Sequence, residues 1–511
     1  MRLKKISIKN FRGYKDKIEI EFTNLTAFVG KNDIGKSTVL EALDIFFNEN
    51  NGIVKIDKDD INNEGLIAGD NEIIISAIFD EYPNELIIDS TNSTSLENEY
   101  LLNSFSELEI IKKYHNAGKE KVFVKAFHPT FSECEDLLLK KDTELRKIIT
   151  DKNIECSDRT RNSIMRSSIW NHFSDSLELA EIEIEINKGD TKGIWQKLKS
   201  YLPIYTLFQS DRKNSDGDSE VQDPLQEAVK QILKNESIQS MLSEVANVVE
   251  EKLKEVSERT LTKLVEMSPE IASTLNPVIP TADNLKWSDV FKKVSISGDG
   301  DIPINKRGSG VKRLVLLNFF RAEAERKLSE EDSNSIIYAI EEPETSQHTN
   351  NQIKLVEALK ILSVSPNTQV ILTTHSSNIV KKLSFNNLRL ISEPDGIKSI
   401  DNISPQSLPY PSLNEVNYLA FKEISEEYHN ELYGFIDAEG KLNDFRIGKS
   451  TIPYTKQLRN GTREEQYILT EYVRHQIHHP ENTINPRFSH EQLTESIGLM
   501  RNFLFNTFAE V

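Results

Sequence analysis

Cysteine is nearly absent from this chain of 511 residues. Only Cys134 and Cys156 occur, too few for a disulfide framework or a cysteine-rich zinc site. No apolar run approaches the roughly 20 residues that span a bilayer, so no membrane association is expected. Positive charge is also in deficit, with 62 Lys and Arg against 81 Asp and Glu and a net charge of −19. That balance excludes a surface given over wholly to nucleic acid, because phosphate contacts need clustered cations. A local basic groove stays compatible with it. Internal repeats and low-complexity tracts are missing as well. Met1-Arg2-Leu3-Lys4-Lys5-Ile6 runs straight into an alternating strand pattern rather than a leader, and a reducing cytoplasm is the expected setting.

The length exceeds what one hydrophobic core usually organises, so more than one structural unit is expected. Leu3, Ile6 and Ile8 alternate with polar residues, as do Ile18, Ile20 and Phe22, which predicts strands. Leu25-Thr26-Ala27-Phe28-Val29 is apolar throughout and predicts a buried strand that stops at Gly30. Val39, Leu40, Leu43 and Phe46 then follow helical spacing. Residues 107–127 read as a hairpin turning at Asn116-Ala117-Gly118-Lys119. From about Pro129 the pattern becomes polar and helical, as in an insertion, broken by a strand at Leu202 to Phe208. A Glu- and Lys-rich helical arm follows from Pro224 to about Leu275. Pro405, Pro409 and Pro411 mark a linker, and the tail beyond it shows three amphipathic helical patterns, near 414–433, 463–478 and 490–508.

Chemistry concentrates in a few places. Gly30-Lys31-Asn32-Asp33-Ile34-Gly35-Lys36-Ser37-Thr38 fits the phosphate-binding pattern G-x-x-x-x-G-K-[ST], placed between a buried strand and a helix. Its glycines let backbone N–H groups turn around phosphates at the positive end of the helix. Lys36 would neutralise β and γ oxygens of ATP, and the Ser37 hydroxyl would ligate Mg²⁺. Ile336 to Glu344 is an apolar strand ending in Glu341-Glu342-Pro343-Glu344. Glu341 would support the metal and Glu342 would polarise a water for attack. Val370 to Ser376 is a further buried strand ending in His375, which could bond the γ-phosphate. Lys306-Arg307-Gly308-Ser309-Gly310 ahead of a helical pattern offers a second anion-binding helix start, although Gly-Ser-Gly is also an ordinary linker.

The order of these motifs resembles the head of ABC-type ATPases. In particular it is similar to the RecF/SMC-like branch that includes the OLD family and ATPases of bacterial anti-phage systems. The resemblance spans roughly Met1 to Leu390, with Ile8-Lys9-Asn10-Phe11-Arg12-Gly13 and Pro203 to Phe208 as supporting detail. It implies two heads paired head-to-tail with ATP between them. Ser309 and Gly310 of one copy would meet the γ-phosphate held by Lys36 of the other, and Arg12 would lie near the phosphates. The glutamine that usually joins the two halves is not evident, Gln209 being a weak candidate. Gly308-Ser309-Gly310 instead of Leu-Ser-Gly-Gly excludes a transporter.

OLD-type chains follow the ATPase with a Toprim nuclease built on Asp-x-Asp. That pattern is missing after His375, where Asp437-Ala438-Glu439 is the nearest. The tail instead carries Arg474 and His479 at R-x-x-x-x-H spacing, which resembles the HEPN ribonucleases. There His479 would take the 2′-OH proton and Arg474 would stabilise the phosphorane. Two other readings stand beside it, namely helix-end cations and a zinc site from His475, His478 and His479.

The expected architecture is an α/β ABC-ATPase head in two parts, 1–128 and 291–403. A helical insertion with a central strand would occupy 129–290, and a small all-α domain 412–511. The expected function is a defence ATPase using ATP and Mg²⁺. It would work as a homodimer or larger homo-oligomer that controls an HNH-type nuclease partner acting on nucleic acid, as in the PtuA-type ATPases of Septu and retron systems. A self-contained ribonuclease and a RecF-like DNA-repair ATPase are the alternatives.

Overall fold

A computed structural model describes residues 1–31, 33–49, 52–88, 93–188, 192–209, 232–233, 235–267, 335–345, 349–405, 407–458 and 461–508. The chain divides into one unit of Met1–Ser210 with Phe320–Val511, and a second of Asp211–Phe319.

The first unit is built on two six-stranded sheets. The antiparallel sheet holds β1 (Arg2–Lys9), β2 (Ile18–Glu21), β4 (Glu72–Asp80), β7 (Leu108–His115), β8 (Lys121–Pro129) and β9 (Leu179–Glu185), in the order β2-β1-β4-β7-β8-β9. Its strands show the alternation that the sequence predicts, with Leu3, Ile6 and Ile8 turned inward. The hairpin between β7 and β8 turns at Asn116 and Ala117, both at φ 51°. Paired left-handed residues match the right-handed twist of the flanking strands.

The second sheet runs in the order β10-β11-β12-β3-β13-β14. It comprises β3 (Leu25–Val29), β10 (Ile204–Phe208), β11 (Ile336–Glu341), β12 (Thr368–Thr373), β13 (Leu388–Ser392) and β14 (Ser399–Asn402). β3, β10, β11, β12 and β13 pair in parallel, and β14 closes the edge antiparallel to β13. β3, β10, β11 and β12 are buried at every position, which is why each reads as an unbroken apolar or Thr-containing run. A small β5–β6 ladder (Leu86–Ile87 with Ser93–Thr94) stands apart.

Helix α1 (Lys36–Asn48) shares one core with residues of both sheets through Val39, Leu40, Leu43, Phe46 and Phe47. Helix α2 (Asn63–Ile67) precedes β4. Helices α3 (Asp142–Asp151), α4 (Asn162–His172) and α5 (Lys192–Tyr201) fall in the stretch expected as an insertion. Yet Leu145, Ile149, Met165, Ile169, Trp170 and Trp195 join that same core, and β9 extends the antiparallel sheet. The second unit contributes one long described helix, α6 (Glu236–Met267).

Helices α7 (Thr349–Ser363) and α8 (Ser377–Val380) complete the head. The tail has its own core, including Leu408, Tyr428, Leu432, Ile436, Phe445, Val473, Ile497 and Met500. Its helices are α9 (Leu413–Phe421), α10 (Glu426–Ala438), α11 (Leu442–Arg446), α12 (Leu469–His478) and α13 (His490–Phe508). One feature departs from the all-α expectation. β15 (Thr451–Leu458) and β16 (Gly461–Ile468) form an antiparallel hairpin in full register, so residues 463–468 are strand. Thr451, Ile452, Tyr454 and Thr455 favour strand, and Asn460-Gly461 is a hairpin dipeptide. Among the described residues no helix is long and apolar enough to cross a membrane.

Candidate functional site

The C-terminal ends of β3, β12 and β11 lie side by side, and each delivers one part of a site. β3 ends in the glycine-rich loop, β12 in Thr374-His375, and β11 in Glu341-Glu342. Ligands of open parallel sheets collect at such an edge.

The loop is shaped by its two glycines. Gly30 sits at φ 151°, and a Cβ there would come within 2.7 Å of the Ile391 carbonyl oxygen. Gly35 sits at φ 111°, caps α1, and its carbonyl accepts the Tyr14 hydroxyl at 3.1 Å. Lys36 is buried, and its Nζ donates to the carbonyls of Gly30 at 2.9 Å and Lys31 at 2.7 Å. Burial lowers its pKa, while the charges of Glu342, Glu344 and Asp33 act the other way. Ser37 is exposed at the first turn of α1, with Thr38 half-buried beside it.

Glu342 adopts φ 38°, a left-handed conformation that costs a non-glycine residue about 1–3 kcal/mol. Its amide is held by the Thr373 carbonyl and the Thr373 hydroxyl, each at 3.1 Å. The carboxylate of Glu342 lies 3.3 Å from His375 Nδ1, and that of Glu344 lies 3.4 Å from the same nitrogen. Glu341 is buried at the end of β11. A hydroxyl at Ser37 and a carboxylate at Glu341 are hard oxygen donors. Mg²⁺ is commonly bound by one or two carboxylates together with substrate phosphates. The donor set fits that ion, and among the described residues no His, Cys, Asp and Glu cluster forms a metal cage of its own.

Arg12, itself left-handed at φ 47°, donates Nε to Asp60 at 2.7 Å and pairs through Nη1 with Glu41 on α1. Gln209, just after β10, donates to the other oxygen of Glu41 at 3.4 Å. Arg12 and Gln209 thus converge on one carboxylate five residues beyond Lys36. Asn32 and the Gly308-Ser309-Gly310 helix start lie outside the described residues.

Sequence reasoning missed Glu41, Asp60, Thr373 and Glu344 as partners of the site. Nothing in periodicity marks them. Only the Pro-Glu that follows Glu342 hinted at a further acid. Sequence reasoning also missed Phe421, whose ring lies 4.6 Å from Lys31 Nζ and brings tail helix α9 onto the phosphate loop.

The tail candidates are not drawn together. The Arg474 guanidinium lies 4.0 Å over the Tyr433 ring, whereas His479 caps α12 and faces Glu481 at 3.1 Å. His475 stacks on Tyr467 at 4.4 Å. The zinc reading of His475, His478 and His479 finds no support among the described residues: the His475 and His479 rings stack on each other at 6.0 Å, but no group of three side chains that could hold a metal ion forms.

Fold and site define an ATPase head of the ABC type. The chain belongs to the family described as AAA ATPase domain, whose model matches residues 1–380. It is 22% identical over 426 residues to Endonuclease GajA from Bacillus cereus (strain HuB5-5), covering 78% of this chain and 59% of that protein. It is 24% identical over 400 residues to Endonuclease GajA from Bacillus cereus (strain VD045), covering 76% and 58%. The chain therefore spans under three-fifths of the length of the curated relatives it matches. Among solved structures, the SMC head domain from Thermotoga maritima covers 79% of this chain and matches over 100% of its own length. Its TM-score is 0.32 at 14% identity. An SmcHead bound to the C-winged helix domain of ScpA gives a TM-score of 0.36 at 14% identity, over 79% of this chain and 98% of that one. Both likenesses are too loose to carry an argument.

Proposed function

We propose that this chain binds and hydrolyses ATP between two head-to-tail copies, and that turnover controls a nuclease in anti-phage defence. The nuclease would be supplied by a separate HNH-type partner. One observation carries the ATPase reading: Glu342 and His375 meet at 3.3 Å at the edge of the sheet where Lys36 closes the phosphate loop.

Lys36 Nζ is satisfied by the carbonyls of Gly30 and Lys31. Phosphate oxygens would replace those carbonyls, and the loop N–H groups and the start of α1 would take the remaining charge. Mg²⁺, held by Ser37 and Glu341 when bound, would supply Lewis-acid neutralisation of the phosphates. Glu342 would turn from His375 to the attacking water, and His375 would then face the γ-phosphate. Ser309 and Gly310 of the second copy would close the site.

Residues 376–511 carry no Asp-x-Asp, and the printed name of the relatives keeps a nuclease in view. The ribonuclease reading gains nothing from the placement of Arg474 and His479. Arg474 lies on α12 over the Tyr433 ring, whereas His479 follows the last residue of that helix and faces Glu481.

The test is purified chain with ATP, tRNA and DNA, with and without a co-expressed nuclease. ATP hydrolysis is expected in the wild type and lost in Lys36→Ala and Glu342→Gln. Unchanged hydrolysis in Lys36→Ala would overturn the site. Cleavage of tRNA by the chain alone, abolished in His479→Ala, would overturn the partner reading.

A further inference from the structure

Glu344 takes no part in the chemistry described so far, yet it is only 4% exposed. Its Oε1 accepts the Thr374 hydroxyl at 2.8 Å and the His375 amide at 2.8 Å, and lies 3.4 Å from His375 Nδ1. Its Oε2 is buried and makes no hydrogen bond among the described residues. A purely architectural carboxylate would not leave an oxygen in that state, since an unsatisfied buried acceptor costs about 1–3 kcal/mol. Glu344 also lies close enough to Lys36 for its charge to act on that side chain.

We propose that Glu344 is a positioning residue for hydrolysis, resting on the ATPase reading above. It grips the backbone and the ring of His375 together and fixes the ring state. Among the described residues Nδ1 faces carboxylate oxygens of Glu342 and Glu344, an environment that favours the tautomer with its proton on Nδ1. Nε2 is thereby the ring nitrogen left for the γ-phosphate and its water. When Glu342 turns to the water, Glu344 alone keeps Nδ1–H in place. This is the division between a group that acts on substrate and one that orients it.

Steady-state ATP hydrolysis by wild type, Glu344→Gln, His375→Ala and the double variant tests this. Glu344→Gln keeps the size and the Oε1 acceptor, and is expected to lower kcat roughly ten- to a hundredfold with KM within about twofold. The double variant is expected to be no slower than His375→Ala alone, because Glu344 acts through that ring. Wild-type kcat in Glu344→Gln, or losses that multiply in the double variant, would overturn the proposal. Glu344→Asp, which keeps the charge, should recover part of the rate. Should Glu344→Gln lose its fold, a Glu344→Asp that is slowed but still active, with a wild-type melting curve, supports positioning, and a fully active one overturns it. Ring nitrogen-15 shifts of His375, read without nucleotide, decide the point apart from turnover. Protonated Nδ1 is expected in the wild type and mixed tautomers in Glu344→Gln, and identical spectra would overturn the proposal. If the wild type does not hydrolyse ATP, the ATPase reading fails while the nitrogen shifts still report on Glu344.

Discussion

His429 makes the tail core pH-sensitive by a calculable amount. It is fully buried on α10, with Nε2 at 2.9 Å from Ser496 Oγ. Ser496 donates its one hydroxyl proton to Thr470 at 3.0 Å. Nε2 must therefore be the protonated nitrogen, and Nδ1 is left buried without a partner. A second proton on Nδ1 would place a cation in the core near Arg474 and His478. Burial first, then those two charges, depresses the pKa from 6.5 to about 4. The unfolded chain consequently binds more protons between those values. Stability from His429 is complete above pH 6.5 and drains away as the pH falls towards 4. A gap of about 2.5 pH units at about 1.4 kcal/mol each gives about 3 kcal/mol in all. About 2 kcal/mol of it should be gone by pH 5. Hydrogen exchange of α10 and α13 amides between pH 7 and 5, corrected for intrinsic rates, measures this loss. In His429→Gln the loss should shrink to the background of the other titrating groups. An equal pH slope in wild type and His429→Gln would refute the reasoning.

Three further perturbations follow from buried groups and backbone. Glu99 and Arg166 form a forked pair, 2.7 and 2.9 Å, with both side chains at or below 2% exposure. Glu99→Gln should cost about 3–5 kcal/mol in urea unfolding, and Glu99→Leu with Arg166→Met should recover most of it. Gly30→Ala should cost about 1–3 kcal/mol and abolish binding of a fluorescent ATP analogue, because its methyl would strike a backbone carbonyl at 2.7 Å. Gly434→Ala, in α10 with open space around the added carbon, should instead raise stability by about 0.5–1 kcal/mol in thermal melts.

The head was legible because its chemistry coincides with strand ends. An apolar run that stops at glycine, at paired acids or at His announces both an element and a function, as at Val29, Glu341 and Thr373. The tail hairpin was hidden for the opposite reason. Tyr467, Ile468, Tyr472 and Val473 keep helical spacing across the junction of β16 and α12, so the helix pattern ran on into the strand. The stretch after Pro129 misled by its polarity. Its few apolar residues are large, and Trp170 and Met165 reach the common core although most of their neighbours are polar. Partners far apart in sequence, such as Arg12 with Glu41 or Glu99 with Arg166, leave no local trace at all.

The groups of the nucleotide site engage one another directly. Lys36 is satisfied by carbonyls that ATP must displace, and Glu342 is engaged by His375 in a strained backbone conformation. Lys31 meanwhile lies on the Phe421 ring of the tail. Each of these contacts is individually weak, of the order of 1 kcal/mol or a few, and all of them touch residues that phosphate binding would reorganise. A ligand can shift such an equilibrium only by its differential affinity for the two arrangements. Here the differential contacts are on the phosphate side of the nucleotide, where Lys36, Glu342 and His375 meet. Phe421→Ala should therefore alter the apparent affinity for ATP more than for adenosine, which lacks the groups that Lys36 exchanges its carbonyls for. Equal changes in both affinities, measured by calorimetry, would place the tail contact outside the phosphate loop's equilibrium.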